Sequence, residues 1–180
     1  GAYYYLLRPI FKYSSLNSDW IKKANQSYIK DSNHYEAIKN ELEKYPKTRV
    51  YAGRPGNWGR DFKIADTPVY MLLSRDGFAG IGFAPESWSP NAEYDQFFNE
   101  ADINFYYLYN IGFILAPNEY KSPLFAKLVK RAGRFSLYKV GTEGFFASGV
   151  SRINVKGNKK HFFNITKLWQ SSHYLKEKEY

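Results

Sequence analysis

The hydrophobic residues of this chain change their spacing near residue 47, from a helical period to a β-type one. Between Trp20 and Ile38, apolar side chains recur three or four residues apart, which places them on one face of a helix. From Thr48 onward, short runs of β-branched and aromatic residues are separated by glycine and proline. Helices followed by strands are typical of an α+β domain.

Two helix starts are marked in the first part of the chain. Residues 17–19 (Asn-Ser-Asp) offer an N-cap before Trp20, and residues 31–33 (Asp-Ser-Asn) offer a second one. The second helical pattern stops at Tyr45, because a residue that precedes proline disfavours the helical conformation. The sequence therefore predicts helices over about residues 18–30 and 32–45. The apolar residues that precede them have no clear period and fit a strand, an arm or the tail of an upstream element.

The remaining elements complete the predicted fold, in which N-terminal helices pack on a mixed or antiparallel sheet with one inserted helix. The helical insertion falls within residues 91–109, where aromatic residues have helical spacing, and the tail from residue 164 forms a final helix or arm. Within a single domain we expect an N-terminal arm with helices (1–47), an α+β core (48–160) and a C-terminal helix or arm (161–180). The predicted strands are 48–52, 79–83, 111–116, 125–129, 134–140 and 145–155.

The net charge of +9 is concentrated at the C-terminal end of the chain. Residues 119–180 contain 13 basic and 4 acidic groups, whereas residues 51–118 contain 4 basic and 8 acidic ones. A basic surface of this kind attracts nucleic acid, anionic lipid or phosphorylated ligands, although a solvated lysine surface gives the same count. No window holds the roughly 18 consecutive apolar residues that a membrane helix needs.

Several kinds of chemistry find no support in the sequence. The chain has no cysteine, which removes disulfides, thiolate zinc sites and cysteine nucleophiles. Its 3 histidines are far apart and form no metal-binding pattern. No nucleophile motif or catalytic carboxylate pair can be identified from spacing. We therefore expect no cofactor, no metal and no catalytic residue.

The most suggestive local feature is a loop with glycines at positions 53, 56 and 59. Its glycines let backbone amides approach an anion, and its two arginines suit phosphate or hydroxyl oxygens. A second loop, residues 85–90, carries a carboxylate and a tryptophan, whose ring could stack on a sugar. Both loops follow short β-type runs, so they could converge at one edge of the sheet. The candidate ligand-binding residues are Arg54, Asn57, Trp58, Arg60, Glu86 and Trp88. The alternative is that both tryptophans close the core and the arginines pair with nearby carboxylates.

A series of strand and turn motifs between Arg49 and Phe146 resembles a known group of proteins. In order, the motifs are Arg-Val-Tyr-Ala-Gly (49–53), Gly-Asn-Trp-Gly (56–59), Pro-Val-Tyr (68–70), Gly-Phe-Ala-Pro-Glu-Ser-Trp-Ser (82–89), Leu-Tyr-Asn-Ile-Gly-Phe-Ile-Leu-Ala-Pro (108–117), Gly-Arg-Phe-Ser-Leu-Tyr (133–138) and Gly-Phe-Phe (144–146). They resemble the extracytoplasmic domains that follow the membrane helices of GT-C-type glycosyltransferases. In particular, they resemble the membrane proteins described as 6-pyruvoyl-tetrahydropterin synthase-related.

The resemblance implies a context rather than a reaction. In such families, sugars are transferred from lipid-phosphate donors by acidic residues in loops between membrane helices, so no catalytic residue carries over to this chain. Gly112 and Phe113 stand where the family often has a basic residue followed by tyrosine. The resemblance predicts a non-catalytic soluble domain that binds or positions a glycan or lipid-linked sugar, outside the cytoplasm, with the membrane-embedded portion of its own chain as partner. The leading Gly1 likewise suggests a fragment. The alternative is a basic, aromatic-rich module that binds nucleic acid through residues 119–180.

Overall fold

A computed structural model describes residues 2–81, 95–142, 149, 152, 154, 156–175 and 177. Its helices are α1 (Ala2–Leu42), α2 (Val69–Arg75), α3 (Ile103–Tyr109) and α4 (Phe162–Ser171), with short 3-10 helices at Trp58–Arg60 and Lys159–His161. Its strands are β1 (Arg49–Tyr51), β2 (Lys63–Ile64), β3 (Thr67–Pro68), β4 (Ile111–Pro117), β5 (Lys127–Ala132) and β6 (Phe135–Lys139). The predicted α+β class is confirmed.

Helix α1 is one continuous helix of 41 residues, so the prediction of two helices with a break near residue 31 is wrong. Asp31 is not an N-cap. It is 8% exposed, and its carboxylate pairs with Arg134 in the β5–β6 turn at 2.8 Å. The predicted strand or arm at the N-terminus is also helical, with Pro9 inside the helix. A polar triplet resembles a cap in sequence, but a partly buried ion pair gives Asp31 a partner that no local pattern reveals.

The main sheet is mixed and has the strand order β1-β4-β6-β5. Strand β1 pairs with β4 in parallel, while β4–β6 and β5–β6 are antiparallel. Strands β2 and β3 form a separate small hairpin. Because the sheet joins strands that are distant in sequence, the loop that follows β1 lies beside the residues that follow β4.

Both faces of the main sheet are buried. Along β4, Phe113 and Leu115 belong to one apolar cluster, and Ile114 and Ala116 belong to a second one. The first cluster includes side chains of α1 and α2, whereas the second includes side chains of α3. The alternation of a β-strand therefore produces three layers, with helices on both sides of the sheet.

The predicted strands agree with the structure where one strand continues over several buried residues. The predictions 48–52, 111–116 and 134–140 correspond to β1, β4 and β6, whereas β5 begins two residues later than predicted. Residues 79–81 are not a strand, although the Ala79 carbonyl accepts a hydrogen bond from the Val50 amide at 2.9 Å. Most of the predicted strand 145–155 and part of the predicted helical insertion, at 91–94, lie outside the described residues.

Candidate functional site

The glycine loop after β1 folds back on itself at its two outer glycines. Gly53 adopts a positive φ of 76°, and a Cβ added to Gly59 would lie 2.5 Å from the Gly53 carbonyl carbon. Asn57 closes the loop, because its side-chain oxygen accepts from the amides of Arg54 at 2.7 Å and Gly59 at 3.0 Å. Glycine is thus required at positions 53 and 59 for internal backbone packing.

Glu100 connects this loop to the segment before α3. The Tyr51 hydroxyl donates to the carboxylate at 2.5 Å, the Trp58 indole N–H at 2.9 and 3.0 Å, and the Tyr120 hydroxyl at 3.0 Å. The Asn57 amide also donates to it. These four donors from the described part of the chain are all uncharged. We call Glu100 and these four side chains the carboxylate cage.

The hydroxyls of the cage remain protonated donors. Burial raises the pKa of Tyr51 far above its ordinary value, and the negative charge of Glu100 raises it further. Burial is also the main cause of the raised pKa of Tyr120. The cage therefore holds a carboxylate by neutral hydrogen bonds, which fixes the orientation of the Trp58 and Tyr120 rings at their polar edges.

The two arginines of the loop have different surroundings. Arg54 donates to the backbone carbonyls of Asp95 at 3.0 Å, Gln96 at 2.9 Å and Phe98 at 3.1 Å. It therefore braces the chain before α3. Arg60 is exposed and forms an ion pair with the neighbouring Asp61 at 3.2 Å.

An aromatic groove of about 490 Å³ lies beside the cage. Trp58 and Tyr120 form part of its wall, with ring centroids 4.9 Å apart, and Trp58 lies 5.9 Å from the ring of Phe62. Half-buried rings next to charged groups can stack on an apolar face of a ligand while the charged groups bind its hydroxyls. The complete lining of the groove is Trp58, Asp61, Phe62, Pro117, Glu119, Tyr120, Lys121 and Arg134.

The structure brings together only some of the residues that the sequence singled out. Trp58 lines the groove, Asn57 and Trp58 belong to the cage, and Arg54 binds carbonyls behind it. Arg60 is paired with Asp61 on the loop surface. The other two candidates, Glu86 and Trp88, lie outside the described residues.

Sequence reasoning missed Glu100, Tyr120 and Glu119. Glu100 lies 42 residues from Trp58 along the chain, and Tyr120 lies 20 residues beyond Glu100. Neither belongs to a local motif, because the sheet pairing β1–β4 brings the segments together. One available indication was the position of Tyr120 three residues after a buried strand that ends at Pro117.

In comparisons with protein-family models, curated proteins and solved structures, no match to this chain was found. Within the described ranges, no helix is long and apolar enough to cross a membrane. The same part of the chain gathers no three histidine, aspartate or glutamate side chains that could hold a metal ion. The groove and the cage are the features of the described structure that bear on function.

Proposed function

We propose that this chain is a non-catalytic, glycan-binding domain, and that the aromatic groove is its binding site. The observation that carries the proposal is the juxtaposition of the Trp58 and Tyr120 rings, 4.9 Å apart, with the exposed side chains of Asp61, Glu119 and Lys121 at one groove. Sugar rings have apolar faces that stack on aromatic rings and hydroxyls that hydrogen-bond to carboxylates and amines.

The cage supports this proposal because it prepares the aromatic wall for binding. Hydrogen bonds from Trp58 and Tyr120 to Glu100 hold both polar edges, so neither ring must be immobilised when a ligand arrives. An ordered side chain costs less conformational entropy on binding, which raises affinity without any added contact. The volume of about 490 Å³ suits one or two sugar rings rather than a long polymer.

The resemblance in sequence extends the proposal to a larger context. We propose that the domain belongs to a membrane-bound, glycosyltransferase-like protein and lies on the extracytoplasmic side. There it would position a glycan or a lipid-linked sugar for the membrane-embedded portion of the same chain. The exposed Lys121 would attract the phosphate of such a donor, whereas Arg134 at the same groove is already paired with Asp31.

Saturation-transfer NMR tests the proposal directly. The probes are the methyl glycosides of glucose, galactose, mannose and N-acetylglucosamine, together with the corresponding sugar 1-phosphates. We expect saturation of ring protons for at least one sugar and a shift of the Trp58 indole N–H resonance. Stronger binding of the phosphates than of the glycosides would assign a role to Lys121.

Two rim carboxylates provide variants that leave the fold intact, because both are exposed. Asp61→Ala and Glu119→Ala should each weaken sugar binding by about fivefold, since one hydrogen bond contributes roughly 1 kcal/mol. Asp66→Ala is the matched control, because Asp66 is an exposed carboxylate of the same segment that does not line the groove. Equal binding by all three variants would refute the assignment of the groove.

Nucleic-acid binding is the competing function, favoured by the exposed cations Lys127 and Arg131 on strand β5. Titration with single-stranded DNA at 50 and 200 mM salt distinguishes the two. Tight binding that falls steeply with salt, without any sugar saturation, would replace the glycan proposal.

A further inference from the structure

Helix α1 extends well beyond the domain that it packs on. At about 1.5 Å per residue its 41 residues span roughly 60 Å, yet among the side chains that the structure describes, from Leu7 onward, the buried ones lie between Asp31 and Leu42. Residues 7–27, which we call the overhang, have exposed side chains apart from Ala24, which is half-buried. The large apolar side chains exposed there are Leu7, Ile10, Phe11, Tyr13, Leu16, Trp20 and Ile21.

The overhang is amphipathic. The positions Leu7, Ile10, Ile21, Ala24 and Tyr28 follow the alternating spacing of three and four residues, or multiples of it, that defines one helix stripe. Ser14 and Asn17 occupy the two central positions of the same stripe. The charged side chains of Arg8, Lys12, Asp19 and Lys23 lie on the opposite face of the helix.

The stripe continues in register into the part of α1 that is buried. Tyr35, Ile38 and Leu42 extend the same spacing and pack in the core against the sheet. The apolar face of the overhang therefore points to the side on which the domain lies. A flat bilayer cannot lie along this face, because the domain protrudes from it. A second helix is narrow enough to lie along this face.

The exposed apolar area is sufficient for a stable interface. Phe11, Tyr13 and Trp20 are 68%, 73% and 65% exposed, and aromatic side chains bury about 150–250 Å² each. Leu16 lies beside the charged face and is not counted. With Leu7, Ile10 and Ile21, the apolar face presents on the order of 700 Å². This exceeds the roughly 300–600 Å² of the largest patch on a typical monomer and approaches the roughly 800 Å² per partner of a stable complex.

We propose that the overhang packs against the overhang of a second copy of this chain as an antiparallel helix pair. A parallel pair is excluded, because the domain already occupies the face of residues 31–42 where the partner helix would continue. In the antiparallel pair the two domains lie at opposite ends. The basic faces point outward, so their like charges are not opposed.

The stripe also selects a register. When Ile10 lies opposite Ile21 of the second copy, Leu7 lies opposite Ala24, and Ser14 lies opposite Asn17. The two polar side chains then meet at the centre and can hydrogen-bond to each other, with apolar layers on both sides. A polar layer within an apolar seam fixes the register of helix pairs.

Sedimentation velocity of the full chain tests the pairing. We expect a dimer at micromolar concentration for the wild type. The double variant Ile10→Glu/Ile21→Glu should weaken dimerisation by about 100-fold or more, because it places four carboxylates in the seam of each dimer. The control Ser15→Glu/Gln26→Glu adds the same charge to the polar face and should remain dimeric. All four positions are exposed, and circular dichroism verifies the fold.

Cysteine cross-linking tests the direction, since the natural chain has no cysteine. A mixture of Leu7→Cys and Ala24→Cys chains should form mixed disulfides between the two variants. A preference for disulfides between two Leu7→Cys chains would overturn the antiparallel arrangement. A wild type that is monomeric at 100 µM would overturn the proposal as a whole. If that monomer also co-sedimented with vesicles of phosphatidylglycerol and phosphatidylcholine, the bilayer would be the occupant of this face instead.

Discussion

Replacing Glu100 with glutamine tests whether the carboxylate cage holds the glycine loop against the sheet. The change keeps the shape of the side chain but replaces one acceptor oxygen with an amide group that can only donate. Tyr51, which is 1% exposed, cannot turn to water when its acceptor is lost. Trp58 and Tyr120 are half-buried, so their N–H and O–H groups can replace part of the lost hydrogen bonding with bonds to water.

The magnitude follows from the number of donors that lose a charged acceptor. A hydrogen bond to a charged group contributes about 1.5–3 kcal/mol, and four side chains donate to Glu100 in the described structure. The glutamine carbonyl still accepts from about two of them. We therefore expect Glu100→Gln to lower the free energy of unfolding by about 2–4 kcal/mol. That loss leaves a typical domain folded but less stable.

Urea unfolding monitored by far-UV circular dichroism measures this loss, and the m-value should stay unchanged. Glu119→Gln is the matched control, because its carboxylate is exposed and the change should stay within about 0.5 kcal/mol. The Trp58 indole N–H resonance should also move upfield in Glu100→Gln, since a charged acceptor is replaced by a neutral one. A stability within 0.5 kcal/mol of wild type, with an unmoved indole resonance, would refute the role of the cage.

Two further changes test the loop and a surface ion pair. Gly59→Ala should lower the free energy of unfolding in urea by about 2 kcal/mol or more, because its Cβ would meet the backbone of Gly53. Gly56→Ala is the control and should be nearly neutral, because the space around Gly56 is open. Equal losses of stability in the two variants would refute this reasoning. Asp76 pairs with Arg75 at 2.7 Å and Lys39 at 3.2 Å, and these hydrogen-bonded cations lower its pKa in the folded state. Its contribution is therefore complete above its ordinary pKa and is lost as the pH falls through the lowered value. Asp76→Asn should lower the free energy of unfolding by about 1 kcal/mol at pH 7, and this difference from wild type should shrink in acid. A stability difference that does not depend on pH would contradict this reasoning.

The strands that the sequence predicted most accurately are those buried on both faces. Strand β4 is a continuous apolar run that ends at Pro117, and β6 follows a glycine turn, so local pattern is sufficient for both. The prediction of a helix break near Asp31 was wrong, because an aspartate in a partly buried ion pair and an aspartate at an N-cap look alike in sequence. The prediction of a strand at residues 79–81 was wrong as well, since one hydrogen bond to β1 does not make a strand.

The candidate site shows the same division. The glycine loop was recognisable, because glycine and asparagine at this spacing indicate a tight backbone conformation. The partners of its polar groups were not, since Arg54 binds carbonyls that lie 41 to 44 residues away. Spacing along the chain gives no information about such contacts.

By itself, the sequence determined the class of fold, because the periods of helices and strands are local properties of the backbone. It also determined the apolar stripe of α1 from Trp20 onward, which is readable from the spacing of apolar residues, whereas the helix before Trp20 became evident only in the structure. Only the tertiary structure decided that Glu100 joins Tyr51, Asn57, Trp58 and Tyr120, because the parallel pairing of β1 with β4 places distant segments at one edge of the sheet. It also decided that the stripe of α1 is half covered and half exposed, since coverage depends on where the sheet ends.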